Sequence, residues 1–175
     1  MSGDAPVFLI GYRGTGKTTV ARELASRLGY EWVDADDIVE EAVGLSIAEI
    51  FAESGEAGFR ELESQAVEAL VGKQRIVIGL GGGAVMREEN RRAIQGAGGQ
   101  VVWLTAAVPT ILARLAGDTT TASRRPNLTK SGGREEVEAL LAARTPLYRE
   151  CATLIVDTEG KSAAEVADEI AALLR

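Results

Sequence analysis

The run Gly11-Tyr12-Arg13-Gly14-Thr15-Gly16-Lys17-Thr18 constrains this chain more than any other stretch of it. It satisfies G-x-x-x-x-G-K-[ST] in full, and it stands between a strand and a helix, as the pattern demands. Ahead of it, the apolar segment Pro6 to Ile10 predicts a buried strand. Behind it, Val20, Leu24 and Leu28 recur on one face of a helix from Lys17 to Leu28, which Gly29 closes. Glycines let the backbone curl so that successive N–H groups face an anion, and the helix N-terminus adds the positive end of its dipole. Arg13, Gly14, Thr15 and Gly16 thus form a phosphate cradle, with Lys17 on the β- and γ-phosphates and the Thr18 hydroxyl as a Mg2+ ligand. A glycine-rich turn without a ligand is the alternative, and the strand–loop–helix context argues against it. The motif implies a nucleotide and leaves the acceptor open.

Apolar runs alternate with helical patterns along the rest of the chain, which predicts an α/β fold with a parallel sheet. Further strands are expected at Glu31–Asp34, Arg75–Leu80, Gln100–Leu104 and Thr153–Val156. The third of these is apolar on both faces, as a central parallel strand should be. Ser46-Ile47-Ala48-Glu49 has capping-box spacing and opens a helix through Glu53; a second helix runs from Glu56 to Val71. Helices are also expected at Arg87–Ile94, Val108–Leu115 and Glu135–Ala143, and a last one opens at Ser162-Ala163-Ala164-Glu165. Residues 117–133 lack apolar periodicity, and so long a loop inside a compact domain reads as a functional lid or a disordered segment. The expectation is one domain over residues 1–175: a P-loop NTPase-type, five-stranded parallel sheet with helices on both faces. It carries an acceptor-binding segment at 35–71 and the lid at 117–133.

A net charge of −7 argues against a nucleic-acid partner, because phosphate-backbone binding relies on clustered Lys and Arg. Only Lys17, Lys73, Lys130 and Lys161 are lysine, so the cations are mostly arginine forks, suited to carboxylates and phosphates. Histidine is absent, which removes every mechanism that needs an imidazole base. Cys151 is the single cysteine, compatible with a reducing cytoplasm. The start Met-Ser-Gly-Asp-Ala-Pro lacks the basic and apolar regions of a signal peptide, and no apolar stretch approaches membrane-spanning length. The expectation is a soluble cytoplasmic monomer with no membrane partner.

In α/β sheets, ligands gather at the carboxyl ends of the strands near the switch in strand order. Asp34 and Asp36 lie there with i, i+2 spacing, which in extended chain points them to opposite sides. One then serves the metal and the other an acceptor hydroxyl; capping of the next helix is the alternative, and it is preferred for Asp37. Gly81-Gly82-Gly83 ends the third strand, where backbone without side chains admits a ligand closely, or else forms a loose loop. Arg60, beside Phe59 and Glu63, and Arg144, in Ala143-Arg144-Thr145-Pro146-Leu147-Tyr148, would each read alone as surface charges.

Taken together, these blocks resemble the shikimate kinase family over essentially the whole length. The resemblance rests on the phosphate loop, Asp34-Ala35-Asp36, Ser46 to Phe51, Gly55-Glu56 with Phe59-Arg60 and Glu63, Gly81 to Val85, Arg125-Pro126, and Arg144 to Tyr148. It implies that ATP and shikimate are the substrates and that shikimate 3-phosphate is the product. It also implies roles: Asp36 binds the hydroxyl that is phosphorylated, Arg60 and Arg144 bind the carboxylate, and Gly82 adds backbone contacts. Asp34 joins Thr18 around one Mg2+ ion, Arg125 reaches the ATP phosphates from the lid, and Glu63 orients Arg60. A carboxylate and three hydroxyls are what two arginine forks and an aspartate complement. Phosphoryl transfer asks mainly for positioning and charge neutralisation, and a closing lid keeps water from competing as acceptor.

Some stretches depart from the family pattern. The lid is long and threonine-rich, and it holds Arg124-Arg125, of which the neighbour of Pro126 is assigned to the phosphates. Asp157-Thr158-Glu159-Gly160-Lys161 lacks the arginine often found after the last strand. Two other classes share the scaffold. Kinases of gluconate or of a nucleoside monophosphate would lack the set Asp36, Arg60, Gly82 and Arg144. A GTP-dependent switch would place its D-x-x-G earlier than Asp157 to Gly160 and would carry an N-K-x-D, which does not occur.

Overall fold

The computed structural model describes residues 3–117 and 133–175. Strand β1 (Val7–Ile10) is buried throughout, and its residues alternate between two apolar layers. Val7 and Leu9 face α1 (Lys17–Leu28) and α7 (Ala163–Leu173), packing on Val20, Leu24, Val166 and Ile170. Phe8 and Ile10 face the opposite layer, built from α3 (Ile47–Leu70), α4 (Glu88–Gly96) and α6 (Gly133–Cys151), with Val67, Leu70, Ile94 and Tyr148 in that core. A strand sandwiched in this way has to be apolar on both faces, which is why β1 and β3 (Ile76–Gly79) read as unbroken hydrophobic runs.

The sheet is five-stranded, with the order β2 (Glu31–Asp34), β3, β1, β4 (Gln100–Thr105), β5 (Leu154–Asp157), and every pairing is parallel. All carboxyl ends therefore share one edge. The chain leaves β1 for α1, and its strand neighbours on either side, β3 and β4, come later, so the strand order switches at β1. The phosphate loop opens into the resulting crevice.

Three local differences from the sequence expectations matter for the site. The chain does not stay extended through Asp36; α2 (Ala35–Val43) starts at once, with Asp34 as its N-cap and Gly44, in the left-handed region, closing it. Residues 47–70 form one helical span broken at Gly55 (φ 68°, ψ −174°), a conformation open only to glycine, so the two expected helices meet at a kink. Ser46 and Glu49 form the full capping box. Finally, α6 runs on to Cys151 through Pro146 instead of ending near Ala143. An internal proline costs roughly 3 kcal/mol. Burial of Tyr148 and Cys151, with the Tyr148 ring 5.6 Å from that of Trp103, offsets it. The remaining described helices are α5 (Val108–Ala116) and a 3-10 turn at Ala84–Met86. Among the described residues no helix is long and apolar enough to cross a membrane.

Candidate active site

The phosphate loop is held from within. Thr15, 2% exposed, donates its hydroxyl to the Tyr12 carbonyl at 2.7 Å, and Lys17 Nζ donates to the carbonyls of Gly11 at 2.6 Å and Tyr12 at 3.0 Å. Gly16, at φ 87°, is the N-cap of α1 and makes no side-chain cap, so the first N–H groups of that helix face the crevice. Arg114 of α5 braces the loop from outside. It donates to the Gly14 carbonyl at 3.2 Å and to the Thr158 hydroxyl at 3.0 Å. Nothing in the sequence singled out this arginine, because its role depends on β5 lying beside β4.

The acids follow from the early start of α2. Asp34 accepts the Thr18 hydroxyl on Oδ2 and the Asp36 backbone N–H on Oδ1, each at 2.8 Å. Burial first, and the Asp36 carboxylate second, push the Asp34 pKa up, while the two donated hydrogen bonds oppose the shift. Asp36 sits half-buried in the first helical turn beside it, and Asp37 follows in the same turn. The cap that the sequence favoured for Asp37 thus belongs to Asp34, since only the residue before the first turn has its side chain level with the free N–H groups.

On the acceptor side, Arg60 and Arg144 come from helices distant in sequence and meet the glycine triplet after β3. The Arg60 guanidinium lies against Gly83 so closely that a β-carbon there would overlap it. At Gly82, a β-carbon would stand 3.3 Å from Arg144 Nη1 and 3.4 Å from the Gly11 carbonyl. The triplet is therefore a packed seat for two cations beside the phosphate loop. Glu63, 2% exposed, accepts Arg60 Nη1 at 2.7 Å. Tyr148 donates to the Gly82 carbonyl at 2.6 Å; burial raises its pKa to about 12, against the lowering effect of Arg144. Among the described residues no carboxylate pairs with Arg144, and Nε of both Arg60 and Arg144 is buried without an acceptor. Cations held this way suit an anion.

The Arg13 side chain pairs with the buried Glu136 of α6 at 2.9 Å, while its backbone nitrogen lies beside Gly82. The structure thus brings together Gly14, Thr15, Gly16, Lys17, Thr18, Asp34, Asp36, Arg60, Gly82 and Arg144 at one sheet edge. Arg125 and the expected lid lie outside the described residues, apart from the flanking Gly117 and Gly133.

A family model described as "Shikimate kinase" matches residues 13–175. A shikimate kinase of Rhodopirellula baltica is 45% identical over 94% of this chain and 87% of its own length. One from Geobacter sulfurreducens is 45% identical over 97% of this chain and 90% of its own. Among solved structures, shikimate kinase from Acinetobacter baumannii in complex with shikimate superposes with a TM-score of 0.90 at 34% identity, covering 97% of this chain and 92% of that one.

Proposed function

The chain belongs to the shikimate kinase family, and we infer from that premise that it transfers the γ-phosphoryl group of ATP to a hydroxyl of shikimate. The products are shikimate 3-phosphate and ADP, a step of the shikimate pathway towards aromatic amino acids. One observation carries the assignment of the acceptor: two buried arginines, seated on successive glycines beside the phosphate loop, each retain a buried donor without an acceptor. A carboxylate bound there accepts from both forks, and the ring it belongs to then lies between them and the γ-phosphate.

The loop residues Arg13 to Thr18 bind the triphosphate, with Arg13 contributing its backbone N–H. Lys17 takes the β- and γ-phosphates and Arg125 closes on them from the lid, residues 117–133. The segment 35–71 supplies Asp36 and Arg60, Gly82 offers its backbone, and Arg144 completes the clamp. Asp36 receives the proton of the attacking hydroxyl or orients it. Glu63 keeps the Arg60 fork turned toward the glycines.

The Thr18 and Asp34 oxygens, joined at 2.8 Å, fit a single Mg2+ ion. Both are hard oxygen donors, and this ion keeps most of its shell for phosphates and water, so few protein ligands suffice. When bound, it neutralises charge on the β- and γ-phosphates. We further assign the enzyme to the cytoplasm as a monomer without nucleic-acid or membrane partners; both arginines of the clamp coming from one chain supports the monomer, and the net charge of −7 argues against nucleic acid.

A coupled ADP-release assay with shikimate, quinate and gluconate, with and without Mg2+, tests the reaction. Turnover with shikimate only in the presence of Mg2+ is expected. Gluconate turned over at comparable kcat/KM would overturn the acceptor, and full activity after chelation would overturn the metal.

A further inference from the structure

Tyr12 belongs to the phosphate loop, yet its side chain serves neither the cradle nor the sheet. It is 1% exposed and plugs a small apolar cluster with Ile111 of α5 and Val137 of α6. Two guanidinium groups stand over its ring: Arg144 at 5.7 Å from the centroid and Arg13 at 5.9 Å. Tyr12 and Arg144 are almost wholly buried, so the Arg144–ring contact is desolvated, where cation–π attraction is strongest, while the Arg13 side chain stays partly in solvent. Glu136, whose side chain is fully buried, occupies the Arg13 fork at 2.9 Å. Arg144 has no such carboxylate among the described residues. The ring thus braces Arg144 on one side, and the Gly82 backbone lies on another.

We propose that Tyr12 is a positioning residue for acceptor recognition: its ring fixes the Arg144 guanidinium over Gly82 and so sets the affinity for the substrate carboxylate. The inference rests on the reading of Arg144 as part of the carboxylate clamp. A loop known for holding phosphate then also holds the far wall of the acceptor pocket. The feature that matters for Arg144 is the π face; the hydroxyl is buried and its electrostatic neighbour is first of all Arg13.

The test is a double-mutant cycle on shikimate KM, with ATP KM and melting temperature measured in parallel. Tyr12→Phe keeps the ring; Tyr12→Leu and Tyr12→Met remove it, and the flexible methionine fills the space should leucine not fold. Loss of a desolvated cation–ring contact should raise shikimate KM roughly three- to tenfold in the ring-less variants. Tyr12→Phe should stay within about twofold, and ATP KM should move much less in all three. In an Arg144→Ala background, removing the ring should add nothing further, because the group it positions is gone. An equal rise in Tyr12→Phe, a parallel rise in ATP KM, or additivity with Arg144→Ala would overturn the proposal. Should Arg144→Ala alone leave shikimate KM unchanged, the clamp itself is wrong, a result distinguishable from failure of Tyr12 alone.

Discussion

At the scale of the residue, Asp34 shows how function and stability pull on one carboxylate. It caps α2 by accepting the Asp36 N–H, accepts the Thr18 hydroxyl, and lies next to a second acid in a half-buried setting. Burial and the Asp36 charge raise its pKa above the usual carboxylate value. The folded chain therefore holds the proton more readily than the unfolded chain does. Stability is lost as pH rises from the unfolded pKa through the folded one, so the ionised carboxylate costs stability in the apo fold. Asp34→Asn keeps the cap and removes the charge. At pH 7, without nucleotide, its melting temperature should equal or exceed that of the parent, while Mg2+-ATP turnover falls by about a hundredfold or more. A lower melting temperature with near-native turnover would mean that the carboxylate is there for the fold. Residue types and spacing singled out Asp34 and Asp36 as a candidate pair; their hydrogen bonds did not follow, because these depend on where α2 starts.

At the scale of the element, helix ends decide much of the site's geometry, and several were legible. Gly29 after α1 and the Ser46–Glu49 box before α3 stand where their side-chain chemistry places them. Helix α2 also carried its signals, Asp34 before it and Gly44 after it, but an acid that caps and an acid that binds metal look alike in sequence. Helix α6 escaped because Pro146 argues locally for a stop, and only the buried Tyr148 and Cys151 override it. The start of α5 at Val108 was legible too, but what caps it was not. Its cap, Glu159, comes from beyond β5 and accepts the Ala107 N–H at 2.7 Å and the Thr110 hydroxyl at 2.9 Å. The Ala107 N–H, and then the Thr110 hydroxyl, lower the Glu159 pKa. A depressed carboxylate pKa means stability that is present above the unfolded value and disappears as pH falls through the folded one. Glu159→Ala should therefore melt a few degrees below the parent at pH 7, and the two should converge as pH falls through the carboxylate range. A gap that stays constant with pH would remove the charged cap from the explanation.

At the scale of the whole molecule, the parallel order of the sheet creates the site by placing every loop at the carboxyl edge on one rim. The phosphate loop, a local pattern, was readable directly from its spacing. The proposed acceptor clamp was not, since Arg60 and Arg144 read as ordinary surface charges until topology seats them on Gly83 and Gly82; only the resemblance of the ordered blocks linked them. The partners of Arg13 and Arg114, Glu136 and Thr158, were illegible for the same reason: each contact crosses between elements whose adjacency exists only in the fold. The central claim is that the two arginines recognise a carboxylate whose charge hardly changes during transfer, while Asp36 acts on the reacting hydroxyl. Steady-state kinetics with shikimate on Arg60→Ala, Arg144→Ala and Asp36→Asn separates these roles. Each arginine variant should raise KM about ten- to a hundredfold with kcat within a few-fold, as expected for one lost charge-assisted contact. Asp36→Asn should lower kcat by about a hundredfold or more. An Asp36→Asn enzyme that keeps its kcat, or arginine variants that lose kcat with unchanged KM, would contradict the assignment.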